Sequence, residues 1–163
     1  MELKRGINLG GYLSQCSHEE RHYDTFIGEE DIKTIAGWGF DHVRLPIDYE
    51  VFETKDGAMI EKGYMRVARV IEWCQNYHLN IILDLHKAYG YDFNDAGDTD
   101  KNNLFTSDEL QNRFVDLWIQ IVKHFQNYEN VAYELLNEVV EKENADAWNR
   151  LIRFTLEKIR RVN

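Results

Sequence analysis

The sequence predicts an α/β fold built on a parallel sheet, because strand and helix patterns alternate along its 163 residues. Short apolar runs that suit buried strands are each followed by a segment with apolar residues at helical spacing. Four such units occur in succession, and this alternation is typical of a parallel sheet with helices packed outside it. Because a complete (β/α)8 barrel usually has about 250 residues, we predict a TIM-barrel-type (βα)4 half-barrel, the N-terminal half of a (β/α)8 barrel. It forms one domain over residues 1–163 that stops before a fifth strand.

The predicted strands are short, and the third is the most continuously apolar. A run of this kind suits a strand that is covered on both faces. The second strand is predicted to end at Pro46, because proline has no backbone N–H to donate to a neighbouring strand. The four predicted strands cover Leu3–Asn8, His42–Pro46, Asn80–His86 and Val131–Leu136.

Capping signals mark the predicted helix starts. Gly28 can cap the first helix, and the acidic residues after it suit the positive end of the helix dipole. Thr106 and Glu109 have the spacing of a capping box before the third helix, and Asn144 is the predicted cap of the fourth. The helices are predicted over Glu29–Gly37, over Glu61–Tyr77, from the Thr106 cap through Phe125, and over Ala145–Arg161.

The tryptophans fall within the predicted helices, where large aromatic side chains usually pack against the sheet. Neither cysteine belongs to a CxxC pair, which argues against a zinc ribbon or a redox motif. We expect packing roles for Trp38, Trp73, Trp118 and Trp148, and a core thiol at Cys74.

The formal net charge of −10 limits the classes of partner. An acidic chain is poorly suited to nucleic acid or to an anionic membrane surface, whereas it suits a neutral substrate such as a carbohydrate. Residues 1–5 lack the apolar segment of a signal peptide, and no apolar run reaches the length of a transmembrane helix. We therefore expect a soluble chain; a cytoplasmic and a secreted location both stay open.

Polar side chains stand at the end of each predicted strand. Asn8 ends the first, Arg44 lies near the end of the second, His86 ends the third, and Asn137 and Glu138 follow the fourth. The carboxyl ends of parallel strands lie on one face, and in barrels that face holds the active site. The sequence therefore predicts a site at this face.

Several segments resemble glycoside hydrolase family 5, the main cellulase family of retaining glycosidases. Residues 131–140, VAYELLNEVV, resemble the family signature, and VRLP and LDLH place an arginine and a histidine where the family has them. The opening RGINLGGYL and the stretch TFIGEEDIKTIAGWGFDHVRLPIDYE resemble bacterial members that act on β-glucans. The resemblance extends from the first strand to the fourth helix.

The resemblance implies a role for each polar residue and a β-linked glucan or oligosaccharide as substrate. Glu138 would be the general acid/base of a retaining mechanism. Asn137 would bind the 2-hydroxyl of the sugar, Arg44 would hold the nucleophile carboxylate ionised, and His86 would bind or orient the substrate. The family nucleophile lies on the seventh strand, so this chain contains none. No cofactor is implied.

Other readings of these residues stay open. Arg44 also fits a structural ion pair, and His86 also fits a satisfied polar residue at a strand end. We interpret Glu134 as structural, and Glu141 and Glu143 as solvated loop charges.

The loop after the third strand offers possible sugar contacts. Aromatic faces stack on sugars, and loop positions favour binding over core packing. The candidates are Tyr89, Tyr91 and Phe93. The same loop carries an aspartate run, but its spacing is not that of a calcium loop, and His18 and His22 lack the HExxH order. We expect no metal site.

Two functions remain open. The chain is either part of a glucan hydrolase, acting in an intact barrel or with a second half, or a catalytically inactive half-barrel that folds and associates with at most weak carbohydrate binding. Four parallel strands leave two unpaired edges, which favour association. The expected partner is therefore a second copy of the chain or a complementary C-terminal half-barrel.

Overall fold

The computed structural model describes residue 1 and residues 3–162. Its strands are β1 (Gly6–Asn8), β2 (His42–Asp48), β3 (Asn80–Lys87) and β4 (Val131–Glu134). Its α-helices are α1 (Glu20–Thr25), α2 (Glu29–Gly37), α3 (Glu61–Asn76), α4 (Asp108–Phe125) and α5 (Ala145–Ile159). The strands form one parallel sheet in the order β1-β2-β3-β4. The predicted α/β half-barrel class is confirmed.

The two faces of the sheet differ in chemistry. Alternate side chains of β2 and β3, such as Val43, Leu45 and Leu83, are fully buried against the helices. The opposite face carries Arg44 and Asp84, which contact each other. The second face of β3 therefore belongs to a polar layer, in which Asp84 is fully buried.

Pro46 does not end β2, which continues to Asp48. The segment after β1 runs beside this part of β2: the Leu9 N–H donates to the Arg44 carbonyl, and the Asp48 N–H donates to the Leu13 carbonyl. N–H groups two residues apart point to the same side of a strand, so the Pro46 nitrogen also faces the β1 side. β1 has already ended at Asn8, and the proline therefore withholds no hydrogen bond from a neighbouring strand.

One predicted helix cap is wrong and another is correct in position only. Ser107, not Thr106, caps α4, because its Oγ accepts the Leu110 N–H at 3.3 Å. Asn144 is the N-cap residue of α5, as predicted, but its side chain makes no capping hydrogen bond, and its Nδ2 donates to the Val140 carbonyl. The Gly28 start of α2 is confirmed, and its N–H donates to an acidic side chain in the first turn.

The aromatic core is partly as predicted. Trp118 is buried, and its Nε1 donates to the Leu135 carbonyl at 3.0 Å, which ties α4 to the chain leaving β4. Cys74 is buried as expected. Trp38 is 67% exposed, so its packing prediction is wrong: it lies just beyond the end of α2 and not on the sheet-facing side. Among the described residues, no helix is both long and apolar enough to cross a membrane.

Gly63 marks the closest approach of α3 to the segment that follows β2. A Cβ at this position would lie 1.7 Å from the Val51 carbonyl oxygen. We expect Gly63→Ala to lower the free energy of unfolding by about 3 kcal/mol or more, because the obstacle is backbone. Gly37→Ala is the matched control. No atom lies within 4 Å of its added methyl group, and it should raise stability by up to about 1 kcal/mol. Urea unfolding measures both, and equal effects would contradict the close packing.

Candidate active site

Arg44 is the centre of the polar layer at the carboxyl ends of the strands. Its Nε and Nη2 donate to the two carboxylate oxygens of Glu134, each at 2.8 Å. A bidentate pair of this kind is strong and directional. Hydrogen bonding to Glu134, with a further contribution from the charge of Asp84, raises the pKa of Arg44 above its usual range.

Glu134 therefore lies in the site and does not point away from it. The alternation of side chains along a strand does not by itself show which face of the sheet Glu134 occupies, because that depends on the residue at which β4 ends. β4 ends at Glu134, and Glu134 is paired in register with Asp84 on β3. Glu134 therefore has a structural role, as we interpreted it from the sequence, and that role is to bind the Arg44 guanidinium.

The guanidinium also joins the outer strands. Nη1 donates to Asn8 Oδ1 at 3.0 Å, and Nη2 donates to Asn137 Oδ1 at 2.9 Å. The structure thus brings together three of the predicted strand-end residues. Asn137 is 5% exposed, and its buried Nδ2 has no hydrogen-bond partner in the part of the chain that is described. Its two N–H hydrogens are therefore not used by any described protein group.

His86 joins the layer through Asp84. Asp84 Oδ2 lies 2.7 Å from His86 Nδ1 and 2.8 Å from Arg44 Nη2. Burial raises the pKa of Asp84, although the contacts with His86 and Arg44 oppose that effect. Neither Arg44 nor His86 is an isolated polar residue, since both belong to one connected network.

Glu138 stands at the edge of this network with its side chain exposed. Its backbone is left-handed, with φ of 39°, a conformation that costs a non-glycine residue about 1–3 kcal/mol. The preceding Asn137 N–H still bonds the Leu85 carbonyl at 3.2 Å, so the chain follows β3 up to the point where Glu138 turns outward.

Tyr91 supports the Glu138 turn and does not form a sugar platform. Its hydroxyl donates to the Glu138 carbonyl at 2.8 Å and accepts the Val140 N–H at 2.9 Å. The side chain is 1% exposed, so its ring is closed to a ligand. The predicted sugar contact at Tyr91 is wrong, because the loop folds back on itself through an Ala88–Tyr91 bridge.

The other two loop aromatics remain partly accessible. Tyr89 is half-buried, with the Arg113 guanidinium 3.9 Å from its ring centre. Phe93 is half-buried and meets the His86 ring edge-on at 6.2 Å. Phe93 is therefore the aromatic candidate that lies beside the strand-end residues.

Glu141 also departs from its predicted role. Its carboxylate accepts the Gly97 N–H and the Asn144 amide, so it links the loops after β3 and β4. It is not merely a solvated loop charge.

A second polar cluster lies at the end of β2 and was not predicted from the sequence. His18, Asp48 and Glu50 offer ligand atoms within 4.8 Å of one another. His18 Nε2 already lies 3.0 Å from Asp48, and Lys87 lies 2.9 Å from Glu50. Asp48 and Glu50 each already have a partner within the protein, so the cluster has a structural explanation without a metal ion.

Chemically, the network presents one exposed carboxylate beside a buried amide and an imidazole. The other two carboxylates, Glu134 and Asp84, are both engaged by Arg44. The arrangement suits proton transfer at Glu138 and hydrogen bonding at Asn137 and His86.

Comparisons with known proteins agree on one family. The family model described as Cellulase (glycosyl hydrolase family 5) matches residues 5–163. Cellodextrinase A of Ruminococcus flavefaciens is 43% identical over 159 residues, which cover 97% of this chain and 47% of that protein. Endoglucanase C of Acetivibrio thermocellus is 44% identical over 167 residues, covering 100% and 48%.

Solved structures give the same result. The endoglucanase Cel5A of Thermotoga maritima superposes with a TM-score of 0.75 at 26% identity, covering 98% of this chain and 48% of that one. A further structure described as a glycoside hydrolase has a TM-score of 0.80 at 23% identity, covering 99% and 50%, and supports the fold. The chain spans about half the length of the curated relatives that it matches.

Tyr91→Phe should weaken the Glu138 turn. The variant leaves the Val140 N–H and the Glu138 carbonyl without their partner, so we expect a loss of about 1–3 kcal/mol in the free energy of unfolding. Tyr128→Phe is the control. It removes a surface hydrogen bond to Glu72 and should cost no more than about 0.5 kcal/mol. Urea unfolding and amide hydrogen exchange at residues 138–140 measure the effect. Unchanged exchange there would contradict this role.

Asp48→Asn should flatten the acid limb of the stability profile. Burial acts to raise the pKa of Asp48, but hydrogen bonds from His18 and the Gln15 backbone N–H oppose it, and the pKa lies below its usual range. A depressed carboxylate pKa stabilises the fold above the unfolded-state value, and that contribution is lost as the pH falls through the folded-state value.

The free energy of unfolding of the parent chain should therefore fall more steeply than that of Asp48→Asn between about pH 5 and pH 2. Urea unfolding at each pH gives the two profiles. Asp116→Asn, on the exposed side of α4, controls for the loss of one carboxylate. Parallel profiles for the parent and Asp48→Asn would contradict the prediction.

Proposed function

The chain belongs to glycosyl hydrolase family 5, and we propose that it supplies the acid/base half of a retaining β-glucan hydrolase site. The observation that carries the proposal is the Asn137-Glu138 pair at the carboxyl ends of the strands, with Asn137 anchored to Arg44 at 2.9 Å. Relatives named cellodextrinase and endoglucanase support a β-linked glucan as the substrate.

In this proposal Glu138 moves the proton in both steps. It protonates the oxygen of the leaving sugar, and it later accepts a proton from the water that releases the second product. Its side chain is exposed, which lets a glycosidic oxygen reach it. Asn137 Nδ2, buried and unpaired among the described residues, donates to the sugar 2-hydroxyl, a contact that strengthens in the transition state.

The nucleophile comes from outside the residues described. Retaining chemistry needs a second carboxylate about 5–5.5 Å from the first, and the nearby Glu134 and Asp84 are occupied by Arg44. We assign the nucleophile to a complementary C-terminal half-barrel, consistent with the half-length match to the relatives. Arg44 Nη1 donates one hydrogen to Asn8, and in this proposal its second N–H binds the incoming carboxylate.

The alternative is a half-barrel that associates without turnover. The outward edges of β1 and β4 pair with no other described strand, and such edges favour pairing with another chain. Light scattering after size exclusion separates the cases in the absence of a second half. A self-associated species supports the alternative, whereas a stable monomer contradicts the expectation that these edges drive association.

The decisive assay measures hydrolysis of a soluble β-glucan by the chain with and without a complementary C-terminal half. We expect turnover in the assembled protein, and we expect Glu138→Gln to lower kcat by about 10²–10⁴ because it removes the proton donor. Glu143→Gln, on the exposed loop beyond Glu138, is the charge-matched control and should leave kcat unchanged. Absence of turnover after assembly would reject the enzyme proposal.

A further inference from the structure

His86 has a contact on each ring nitrogen, and the two contacts come from different elements. Asp84 Oδ2 lies 2.7 Å from Nδ1, and Gln15 Nε2 lies 3.3 Å from His86 Nε2. Gln15 stands in the loop after β1, which the sequence analysis did not connect with the site. Its side chain is exposed, so the contact lies at the open surface of the site.

Donor and acceptor rules fix the proton on Nδ1. Asp84 Oδ2 also lies 2.8 Å from Arg44 Nη2, and this positive charge favours the ionised carboxylate. An ionised carboxylate can only accept, so the 2.7 Å contact places a hydrogen on His86 Nδ1.

The same rules leave Nε2 without a proton. The amide nitrogen of Gln15 can only donate, so the facing Nε2 of His86 must accept. The two contacts together describe a neutral imidazole with its lone pair turned toward the loop after β1. Asp84 alone would be equally compatible with an imidazolium, so Gln15 is the contact that distinguishes the two forms.

The position of Gln15 is itself fixed by the second polar cluster. Its backbone is left-handed, with φ of 53°, and such a conformation persists only where surrounding contacts impose it. The Gln15 N–H donates to Asp48 Oδ2 at 3.0 Å, and that oxygen also meets His18 Nε2 at 3.0 Å. The buried Asp48 thus holds the loop in the shape that aims the Gln15 side chain at His86.

We propose that Gln15 is a positioning residue that, opposite Asp84, holds His86 as the neutral Nδ1-protonated imidazole with Nε2 accepting. This step rests on the proposed function: the side-chain amide N–H of Gln15 and the lone pair of His86 Nε2 form a donor and an acceptor that match one glucan hydroxyl. A hydroxyl group is both donor and acceptor, so it can take the place of their direct 3.3 Å contact.

Other groups face the same space. A cavity of about 400 Å³ opens beside His86 and is also lined by Asp48, Lys87 and Asp92, and the Phe93 ring meets the imidazole edge-on. The acidic side chains in this cavity favour the charged form of a nearby imidazole, whereas the basic side chain disfavours it. The test therefore changes only the group in contact with Nε2 and uses a charge-matched variant elsewhere.

The test is ¹⁵N NMR of the imidazole nitrogens of the 163-residue chain near neutral pH, with His86 identified by its absence in His86→Gln. In the parent chain we expect the pattern of a neutral ring protonated at Nδ1. Gln15→Glu places an acceptor opposite Nε2, so His86 should become an imidazolium. Gln15→Met keeps the side-chain length but removes the donor that faces Nε2, so the Nε2 signal should shift and the neutral Nδ1-protonated ring should no longer be the sole form.

Gln75→Glu, at an exposed position on α3, adds the same charge and should leave His86 unchanged. His124 Nδ1 bonds the Gln120 carbonyl at 2.7 Å and serves as an internal reference in every spectrum. An Nε2-protonated ring or an imidazolium in the parent chain would overturn the proposal, as would identical His86 signals in the parent and both Gln15 variants. The measurement needs no turnover, so its outcome is separate from that of the glucanase assay.

Discussion

The guanidinium of Arg44 is the interaction on which the rest of the site depends. It reaches all four strands, through Asn8 on β1, its own position on β2, Asp84 on β3 and Glu134 on β4. A half-buried cation needs such partners, because removing it from water without them is costly. The same contacts fix the relative positions of the four strands. The Arg44 charge, which needs these partners because it is half-buried, thereby also determines the geometry of the site.

The polar layer explains why the strands differ from a simple buried sheet. Their helix-facing side is filled by aliphatic side chains such as Val43 and Leu83, which are fully buried. The other side is closed by ion pairs and hydrogen bonds, which are directional. Hydrophobic packing therefore holds the sheet against the helices, and the network around Arg44 sets the geometry of the polar side chains on the other face.

The positions of Asn8, His86 and Asn137 near the ends of strands could be predicted, because a strand end is a local feature of the sequence. Arg44 was predicted near the end of its strand, but β2 continues to Asp48 and places Arg44 inside the strand. Glu134 could not be placed, since its direction depends on the residue at which β4 ends, and that is decided by tertiary pairing with β3. Tyr91 looked like a surface aromatic because the loop bridge that buries it has no short-range signal.

Gln15 was beyond sequence reasoning for a different reason. Its left-handed backbone is imposed by Asp48, a residue 33 positions away, and glutamine has no intrinsic preference for that conformation. Residues of this kind are visible only once the long-range contacts are known. The same holds for Glu138, whose turn depends on Tyr91 from the preceding loop.

These dependencies show how much of the site is organised before a second carboxylate arrives. Asn137 and His86 are each held by hydrogen bonds from β2 or β3, and the backbone of Glu138 is held by Tyr91. Arg44 already faces two carboxylates, and burial raises the pKa of one of them, Asp84. In the proposed function, a third carboxylate approaches a guanidinium that is already shared, and one Nη1 N–H without a partner among the described residues is left to bind it. The proposed proton transfer then uses side chains that this half already holds in place, whereas the charge balance around the nucleophile depends on the groups that accompany it.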